Sequence, residues 1–370
     1  MALAGRATAA GTARFAARFT GRCAPGHFRV SHDLTLSSIG AGTYLGDMTD
    51  AVDQSYRLAL AEAVRCGSNV LDTAVSYRAQ RSEIALGQAL ADLVAAGAVT
   101  RAELVIATKG GFITHRLARP ADRVQYLYDT FVAAGVANPE DLAGGIHCIA
   151  PNYLSQQITW SLRNLGLRTI DLYYLHDPET QLAFVDRTTF RHRVQLAFAR
   201  LEEEVAGGRI GCYGVATWHG LRRAPMAEDF MSLELLERLA RDVAGPGHHL
   251  WAVQFPLSVA MTEAAAFRNQ PVGDSLQTCL AAAGDLGFTV MASASMMQAQ
   301  QLGHWPASLT QAFPYLASNA QRALQFVRSL PGVVTVLAGM SRSEHVLEDL
   351  AVGAYSPEPE NAERLLHGLR

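Results

Sequence analysis

The sequence predicts a (β/α)8 TIM barrel on the basis of three observations. Short apolar segments alternate with segments of helical periodicity eight times between residues 34 and 350. The short segments are apolar along their whole length, which is typical of parallel strands buried on both faces. A doubly wound open sheet, the rival fold, would carry a GxGxxG turn after its first strand, and Gly40, Gly42 and Gly46 have the wrong spacing for one.

The predicted strands and helices follow one another in strict alternation. The strands are expected at residues 34–44, 69–72, 104–108, 170–175, 210–216, 250–255, 288–294 and 333–338. The helices are expected at residues 54–65, 82–94, 152–165, 191–205, 233–243, 275–283, 318–329 and 343–350. Ser82 and Ser318 are suited to cap helix N-termini, and Gly166 is suited to a left-handed C-cap.

Residues 1–33 precede the barrel and allow two interpretations. The first 31 residues contain five arginines and no acid, a composition typical of an organelle transit peptide. Apolar residues alternate along 12–19 and 27–30, which instead predicts the two strands of a β-hairpin. We favour the N-terminal β-hairpin and expect it to close the bottom of the barrel.

Two insertions interrupt the regular pattern on the side of the barrel where active sites are built. Residues 110–151 form a long loop after the third strand, far above the usual length of such a connection, with a helix expected at 122–134. Residues 258–273 follow the sixth strand. We expect the barrel to span residues 34–355, both insertions to shape substrate access, and residues 356–370 to form a C-terminal tail.

Composition narrows the possible partners and the compartment. With a net charge of −3, the chain has no electrostatic reason to bind nucleic acid or an anionic membrane. No apolar run reaches the roughly 18 residues of a transmembrane helix. The five cysteines are scattered without CxxC spacing, which favours reduced thiols in the cytoplasm. The sequence does not indicate an oligomeric state.

Four ionisable residues are expected at the ends of three successive strands. Asp72 and Tyr77 follow the second strand, Lys109 closes the third and His176 closes the fourth. The C-terminal ends of barrel strands converge on one mouth, so these groups should lie together. Each alone could be structural, but the set is suited to proton transfer to a carbonyl oxygen.

A metal centre is the weaker interpretation of the same region. His147, Cys148, His176 and Asp177 could lie near one another at the mouth. No HxxxH or CxxC spacing supports zinc ligation, so no metal is expected.

At this point the chain resembles the aldo-keto reductase family nearly end to end. The matching segments are IGAGTYLG, LDTAVSYRAQRSEIALGQAL, VIATKGG, SLRNLGLRTIDLYYLHDPE, GRIGCYGVATWHG, AVQFPLSV and LAGMSRSEHVLEDL. The resemblance implies a catalytic tetrad of Asp72, Tyr77, Lys109 and His176. Tyr77 would donate the proton, Lys109 would lower its pKa, Asp72 would hold Lys109, and His176 would orient the carbonyl.

The resemblance also implies a nicotinamide site, in which this chain departs from the family. Thr217 and Trp218 stand where the family has a Ser-Asn pair, so the hydroxyl is kept and the amide is lost. Gln254 is retained. Ser293 stands where the family often places an aromatic ring that stacks on the nicotinamide.

The adenosine end is implied to lie at the last strand and helix. The positions concerned are Gly339, Ser341, Arg342, His345, Glu348 and Asp349. Backbone N–H groups at the helix start suit a phosphate, and Arg342 could pair with a 2′-phosphate, which favours NADP over NAD. Asp349 replaces an Asn, and an ionised acid cannot donate the same hydrogen bond. A capped surface helix explains the segment equally well.

The function implied is an NADPH-dependent oxidoreductase that reduces an aldehyde or ketone to an alcohol, or performs the reverse reaction. Two alternatives remain open: a non-redox acid-base enzyme, such as an isomerase or dehydratase, and a non-catalytic interaction subunit. Several aromatic residues could line a pocket for a ring compound, although we favour packing within the long loop as the role of most. They are Phe112, Tyr126, Tyr128, Phe131, Trp218 and Phe255.

Overall fold

The computed structural model describes residues 2–296 and 305–369. Its strands are β1 (Phe28–Ser31), β2 (Leu34–Ser37), β3 (Ile39–Gly42), β4 (Val70–Asp72), β5 (Val105–Gly110), β6 (Ile170–His176), β7 (Ile210–Ala216), β8 (Leu250–Pro256), β9 (Arg268–Val272), β10 (Ser275–Thr278), β11 (Thr289–Ser293) and β12 (Val333–Gly339). Its α-helices are α1 (Ala9–Ala17), α2 (Asp50–Arg65), α3 (Arg81–Ala95), α4 (Arg123–Leu127), α5 (Pro151–Leu165), α6 (Arg187–Ala206), α7 (Leu233–Ala244), α8 (Glu263–Ala266), α9 (Cys279–Asp285), α10 (Ala307–Ala312), α11 (Asn319–Ser329), α12 (Ser343–Leu350) and α13 (Pro359–Gly368).

Eight parallel strands close into a barrel, which confirms the (β/α)8 prediction. Strands β3 to β8 pair in chain order, β8 pairs with β11, β11 pairs with β12, and β12 returns to β3. Helices α2, α3, α5, α6, α7, α9, α11 and α12 form the outer layer between successive barrel strands. Because all barrel strands are parallel, their C-terminal ends share one mouth.

The apolar side chains bury in two layers on either side of the sheet. The larger layer lies between the strands and the outer helices and includes Ile106, Leu175 and Val253. The smaller layer fills the barrel and includes Val70 and Met291, with Leu36 from the N-terminal segment packed against it. A filled barrel holds the strand ends rigidly, and this rigidity positions the side chains of the mouth.

The N-terminal hairpin is present, but one of its strands differs from the prediction. Strand β1 pairs with β2, whereas residues 12–19, expected as a strand, lie largely in helix α1. Phe15 and Phe19 are both buried, and their spacing of four places them on one helix face as readily as on one strand face. Thr8 caps the helix by accepting a bond from Gly11 N at 3.0 Å.

The first barrel strand is correspondingly shorter than the predicted segment 34–44. Residues 34–37 belong to the hairpin, and only β3 enters the barrel. Asn69, directly before β4, ties the hairpin to the barrel, because its Oδ1 accepts from Ser37 N at 2.8 Å and its Nδ2 donates to Thr35 O at 2.8 Å. The hairpin therefore lies at the N-terminal ends of the strands, opposite the mouth.

The two insertions also take definite structures. The long loop contains α4, a π-helical turn (Tyr128–Val132) and its own apolar cluster around Phe131 and Tyr153. After the sixth barrel strand, β9 and β10 form an antiparallel hairpin. The predicted helix 275–283 is therefore wrong in its first four residues, where the alternation of Ser275–Thr278 serves a strand and α9 begins at Cys279.

Within residues 2–296 and 305–369, no helix combines the length and apolarity needed to span a membrane.

Candidate active site

A buried ion pair lies at the centre of the mouth, where strands β4 and β5 end. Lys109 Nζ donates to Asp72 Oδ2 at 2.5 Å and to Thr73 O at 2.9 Å. Gln254 Nε2, from β8, donates to Asp72 Oδ1 at 3.0 Å. Burial lowers the pKa of Lys109, although the Asp72 carboxylate opposes that shift. The carboxylate and the ammonium thus hold each other in a fixed position beneath the cleft.

Tyr77 sits above this pair on a tightly constrained turn. The three residues after it, Arg78, Ala79 and Gln80, all have left-handed backbone conformations, with φ of 49°, 53° and 73°. Such conformations are costly for residues other than glycine and persist only where the surroundings fix them. The guanidinium of Arg78 does so here, because it donates to Asp47 O at 3.0 and 2.8 Å.

The electrostatics of Tyr77 differ from the expectation. Lys109 Nζ lies 5.1 Å from the centre of the Tyr77 ring, yet burial raises the pKa of Tyr77 well above its ordinary value. The negative charges of Asp72 and Asp177 raise that pKa further. In the protein alone the pKa of Tyr77 is therefore raised, chiefly by burial and then by the Asp72 carboxylate, rather than lowered as expected from the neighbouring Lys109.

His176 faces the same space from the end of β6. Its ring centre lies 5.7 Å from that of Tyr77 and 5.0 Å from that of Phe112, both edge-on. Burial lowers the pKa of His176 well below its usual value, and the positive charge of Lys109 adds to this. A neutral imidazole keeps one N–H to donate and one nitrogen to accept.

A chain of hydrogen bonds behind His176 links it to the long loop and to helix α6. His147 Nε2 contacts the carbonyl oxygen of His176 at 2.7 Å, and Gln181 Nε2 contacts His147 Nδ1 at 2.9 Å. Arg193 Nη1 donates to Gln181 Oε1 at 2.6 Å. Gln181 and Arg193 were not predicted as site residues, since only the spatial arrangement brings them near His147.

The same hydrogen bonds show whether His147 could bind a metal ion. Both ring nitrogens of His147 are occupied by protein partners, so neither is free for a metal ion. Across residues 2–296 and 305–369, no three His, Cys, Asp or Glu side chains are grouped so that they could hold one.

Glu179 organises the loop that follows β7 and was also missed in the sequence. Its Oε1 accepts from the backbone N–H groups of Trp218, His219 and Gly220 at 2.9, 2.9 and 3.1 Å. Burial raises the pKa of Glu179, although the three N–H donors oppose this shift. The carboxylate thereby fixes the backbone of the segment that replaces the family's Ser-Asn pair.

One cleft of about 1,030 Å³ joins these groups to the end of the last strand. The residues expected at the nicotinamide end all line it: Thr217, Trp218, Gln254 and Ser293. Tyr77, His176 and Asp72 line it as well, whereas Lys109 lies buried behind them. Thr217 Oγ1 is buried, and no group in the described part of the chain bonds to it.

Most of the residues expected at the adenosine end line the far part of the cleft. These are Gly339, Ser341, His345, Glu348 and Asp349. Arg342 is exposed at the start of α12 and does not line the cleft wall. Burial and the neighbouring Glu348 raise the pKa of Asp349 to about 7, so near neutral pH about half of this carboxyl is protonated and can donate a hydrogen bond.

Some of the aromatic residues considered for a substrate pocket pack inside the protein, and others line the cleft. Phe131 and Tyr126 pack within the loop's own cluster, as favoured, and Phe255 is buried in the core. Phe112 and Trp218 line the cleft instead.

The family model described as the Aldo/keto reductase family matches residues 38–234, more than half of the chain. The chain therefore belongs to the aldo/keto reductase family.

Among curated proteins, the chain is similar to the NADH-specific methylglyoxal reductase of Escherichia coli (strain K12). The two are 29% identical over 154 residues, which is 39% of this chain and 39% of that protein. The match thus spans well under half the length of this relative.

Solved structures of the same fold cover nearly the whole chain. An aldo/keto reductase from Klebsiella pneumoniae, in complex with NADP and acetate, superimposes with a TM-score of 0.63 at 20% identity, over 92% of this chain and 94% of that one. Glycerol dehydrogenase from Gluconobacter oxydans gives a TM-score of 0.63 at 18% identity, over 94% and 95%. At such identities the likeness concerns the fold.

Proposed function

We propose that this protein is a nicotinamide-dependent oxidoreductase that reduces an aldehyde or ketone to an alcohol. One observation carries the proposal: Tyr77 and His176 face one cleft, with the Lys109–Asp72 pair buried directly behind them. A phenol and a neutral imidazole at one carbonyl oxygen can donate and orient, and neither needs a metal to do so.

The cleft suits a nicotinamide dinucleotide in size and in its unpaired polar groups. The buried Thr217 hydroxyl lines the cleft and lacks a partner among the described residues, so it would be free to bond to a nicotinamide carboxamide. The residues that would hold the group are Thr217, Trp218, Gln254 and Ser293 at one end and Gly339, Ser341, Arg342, His345, Glu348 and Asp349 at the other. When bound, the nicotinamide supplies the hydride that no side chain can supply.

The protein's own residues handle the proton. Tyr77 donates it to the carbonyl oxygen, His176 bonds to the same oxygen and orients it, and Lys109 faces the phenolate that forms. Because burial and nearby carboxylates raise the pKa of Tyr77, the phenol stays protonated at neutral pH. This state is suited to reduction, whereas alcohol oxidation requires the phenolate and should need alkaline pH.

NADPH is the cofactor we propose, with NADH as the weaker alternative. Arg342 places an exposed guanidinium at the start of α12, where it would pair with the 2′-phosphate of NADPH. The similar Klebsiella pneumoniae structure was solved with NADP, whereas the Escherichia coli relative is named NADH-specific. Both cofactors therefore belong in the first assay.

The test is the rate of NADPH consumption with a panel of aldehydes and ketones, in the native protein and in Tyr77→Phe. Loss of the proton donor should lower kcat by about a hundredfold or more while NADPH affinity changes less than about twofold. Unchanged turnover in the folded variant would sink the proposed mechanism. Exchange of a substrate proton with solvent in the absence of any cofactor would instead indicate a non-redox acid-base enzyme.

A further inference from the structure

We propose that the cleft selects carbonyl compounds that carry a ring next to the carbonyl over small hydrophilic ones. This inference rests on the reductase activity proposed above and names its substrate class. It departs from the small substrate in the name of the Escherichia coli relative.

A continuous row of rings surrounds the reacting position. Tyr44 packs edge-on against Tyr77 with ring centres 5.0 Å apart, and Tyr77 packs edge-on against His176 at 5.7 Å. Phe112 continues the row beyond His176 at 5.0 Å. Edge-to-face contacts of this kind leave ring faces and edges available to a further ring, so a substrate ring would extend the row.

The apolar side chains at this end of the cleft are unusually exposed. Tyr44 is 52% exposed and Leu45 is 37% exposed, although both line the cleft. Large apolar groups left in water around one opening indicate a surface that a ligand covers. A small hydrophilic aldehyde would cover little of it.

The test compares kcat/KM for benzaldehyde and methylglyoxal with NADPH. We expect the value for benzaldehyde to exceed that for methylglyoxal by about tenfold or more, the selectivity that one added ring contact provides. Equal values would overturn this inference and leave the reductase proposal standing. Turnover of no carbonyl compound with either cofactor would overturn the reductase proposal itself.

Substitutions in the row of rings test whether these side chains produce the selectivity. Tyr44→Leu should lower kcat/KM for benzaldehyde by about tenfold and for methylglyoxal by less than about twofold, whereas Tyr44→Phe, which keeps the ring, should retain selectivity. Tyr128→Ala, in an exposed part of the long loop, is the matched control. Equal losses for both substrates would show that the rings serve the cofactor or the fold and would overturn their role in selection.

A second inference rests on the hydrogen bonds behind His176: we propose that His147 is a positioning residue for His176. The His176 carbonyl accepts from His147 Nε2, so that nitrogen carries the proton and Nδ1 is free to accept from Gln181. Burial lowers the pKa of His147 to about 4, so this neutral tautomer persists at neutral pH.

Two backbone features show that the contact is built into the fold. Gly111 has φ of 146°, and a Cβ added there would lie 2.7 Å from His147 Nε2 and 2.8 Å from His176 O. Directly after His176, Asp177 takes a left-handed conformation with φ of 44°. The strand therefore turns at His176, and the His147 donor satisfies the carbonyl oxygen at that turn.

The test is His147→Ala, with His192→Ala on the exposed face of α6 as the control. We expect kcat to fall about tenfold to a hundredfold with little change in the KM for NADPH, and added imidazole to restore part of it. His147→Gln, which keeps an N–H donor, should retain more activity than His147→Ala. An unchanged kcat, or a loss that neither imidazole nor Gln relieves, would overturn the positioning role.

Discussion

Asp349 shows at the scale of one residue how burial changes what a side chain can do. An ionised acid cannot replace the Asn that the family uses at this position, because it has no proton to donate. Burial and Glu348 raise the pKa of Asp349 to about 7, so the protonated form is available near neutrality. If Asp349 contacts adenosine as proposed, cofactor binding should therefore depend on pH rather than be weaker at every pH.

We expect the affinity for NADH to fall about tenfold between about pH 6 and 8, as Asp349 loses its proton. NADH is the informative ligand here because it has no 2′-phosphate that titrates in the same range. In Asp349→Asn, which donates at every pH, this dependence should be much weaker. A native and a variant profile that coincide would contradict the assignment.

The raised pKa of Asp349 also makes folding stability depend on pH. The folded-state pKa of Asp349 lies above the unfolded-state value, so the folded state binds this proton more tightly. Its contribution to stability is fully present below about pH 4 and is lost as the pH rises through about 7. Asp349→Asn should therefore flatten the dependence of the free energy of unfolding on pH across this window, as chemical denaturation would measure.

We propose that the choice of cofactor depends on Arg342. Arg342→Ala should weaken NADPH binding by about tenfold and NADH binding by less than about twofold, because only NADPH carries the 2′-phosphate. Dissociation constants measured by calorimetry would decide this. The exposed Arg364 on α13 provides a control variant of equal charge change, and equal weakening of both cofactors by Arg342→Ala would remove the argument for a bound 2′-phosphate.

At the scale of elements, a buried ion pair joins three parts of the barrel bottom. Asp171 of β6 accepts from Arg101 Nη2 at 2.6 Å, from Ala7 N at 2.6 Å and from Ile106 N at 2.7 Å. One carboxylate thus connects the N-terminal segment, the turn before β5 and β5 itself. Such a pair is costly to break, because each buried charge needs its partner.

Asp171→Asn should lower the free energy of unfolding by about 3 kcal/mol or more, since it leaves the Arg101 guanidinium buried without its charge partner. Asp92→Asn removes the carboxylate from an exposed pair with Arg57 and should cost less than about 1 kcal/mol. Denaturant titration of both variants measures the difference. Similar losses would show that burial does not set the strength of these pairs.

The elements that were predicted wrongly are those whose apolar residues fit both a helical and an alternating pattern. Phe15 and Phe19 satisfy both an alternating and a helical pattern, and docking of α1 below the barrel decides between them. The segment 275–278 is short enough to join either the helix that follows it or a hairpin with β9. Its pairing with β9 makes it a strand. In both cases a tertiary contact selects the secondary structure, and that contact cannot be predicted from the local sequence.

At the scale of the whole molecule, the barrel was predictable because its signal repeats eight times. The positions of Asp72, Lys109 and His176 at one mouth follow from the shared direction of parallel strands. The supporting groups could not be predicted in this way. Gln181 and Glu179 act on loops distant in sequence, and the pKa of Tyr77 depends on carboxylates that only the fold brings close.

The most direct test of the account is a titration of the purified protein with NADPH and with NADH, followed by tryptophan fluorescence. Trp218 and Trp305 line the cleft, so a bound nicotinamide dinucleotide should quench them. We predict saturable quenching by NADPH and weaker binding of NADH. The absence of saturable quenching by either, in a protein that unfolds cooperatively, would contradict a nicotinamide-dependent reductase.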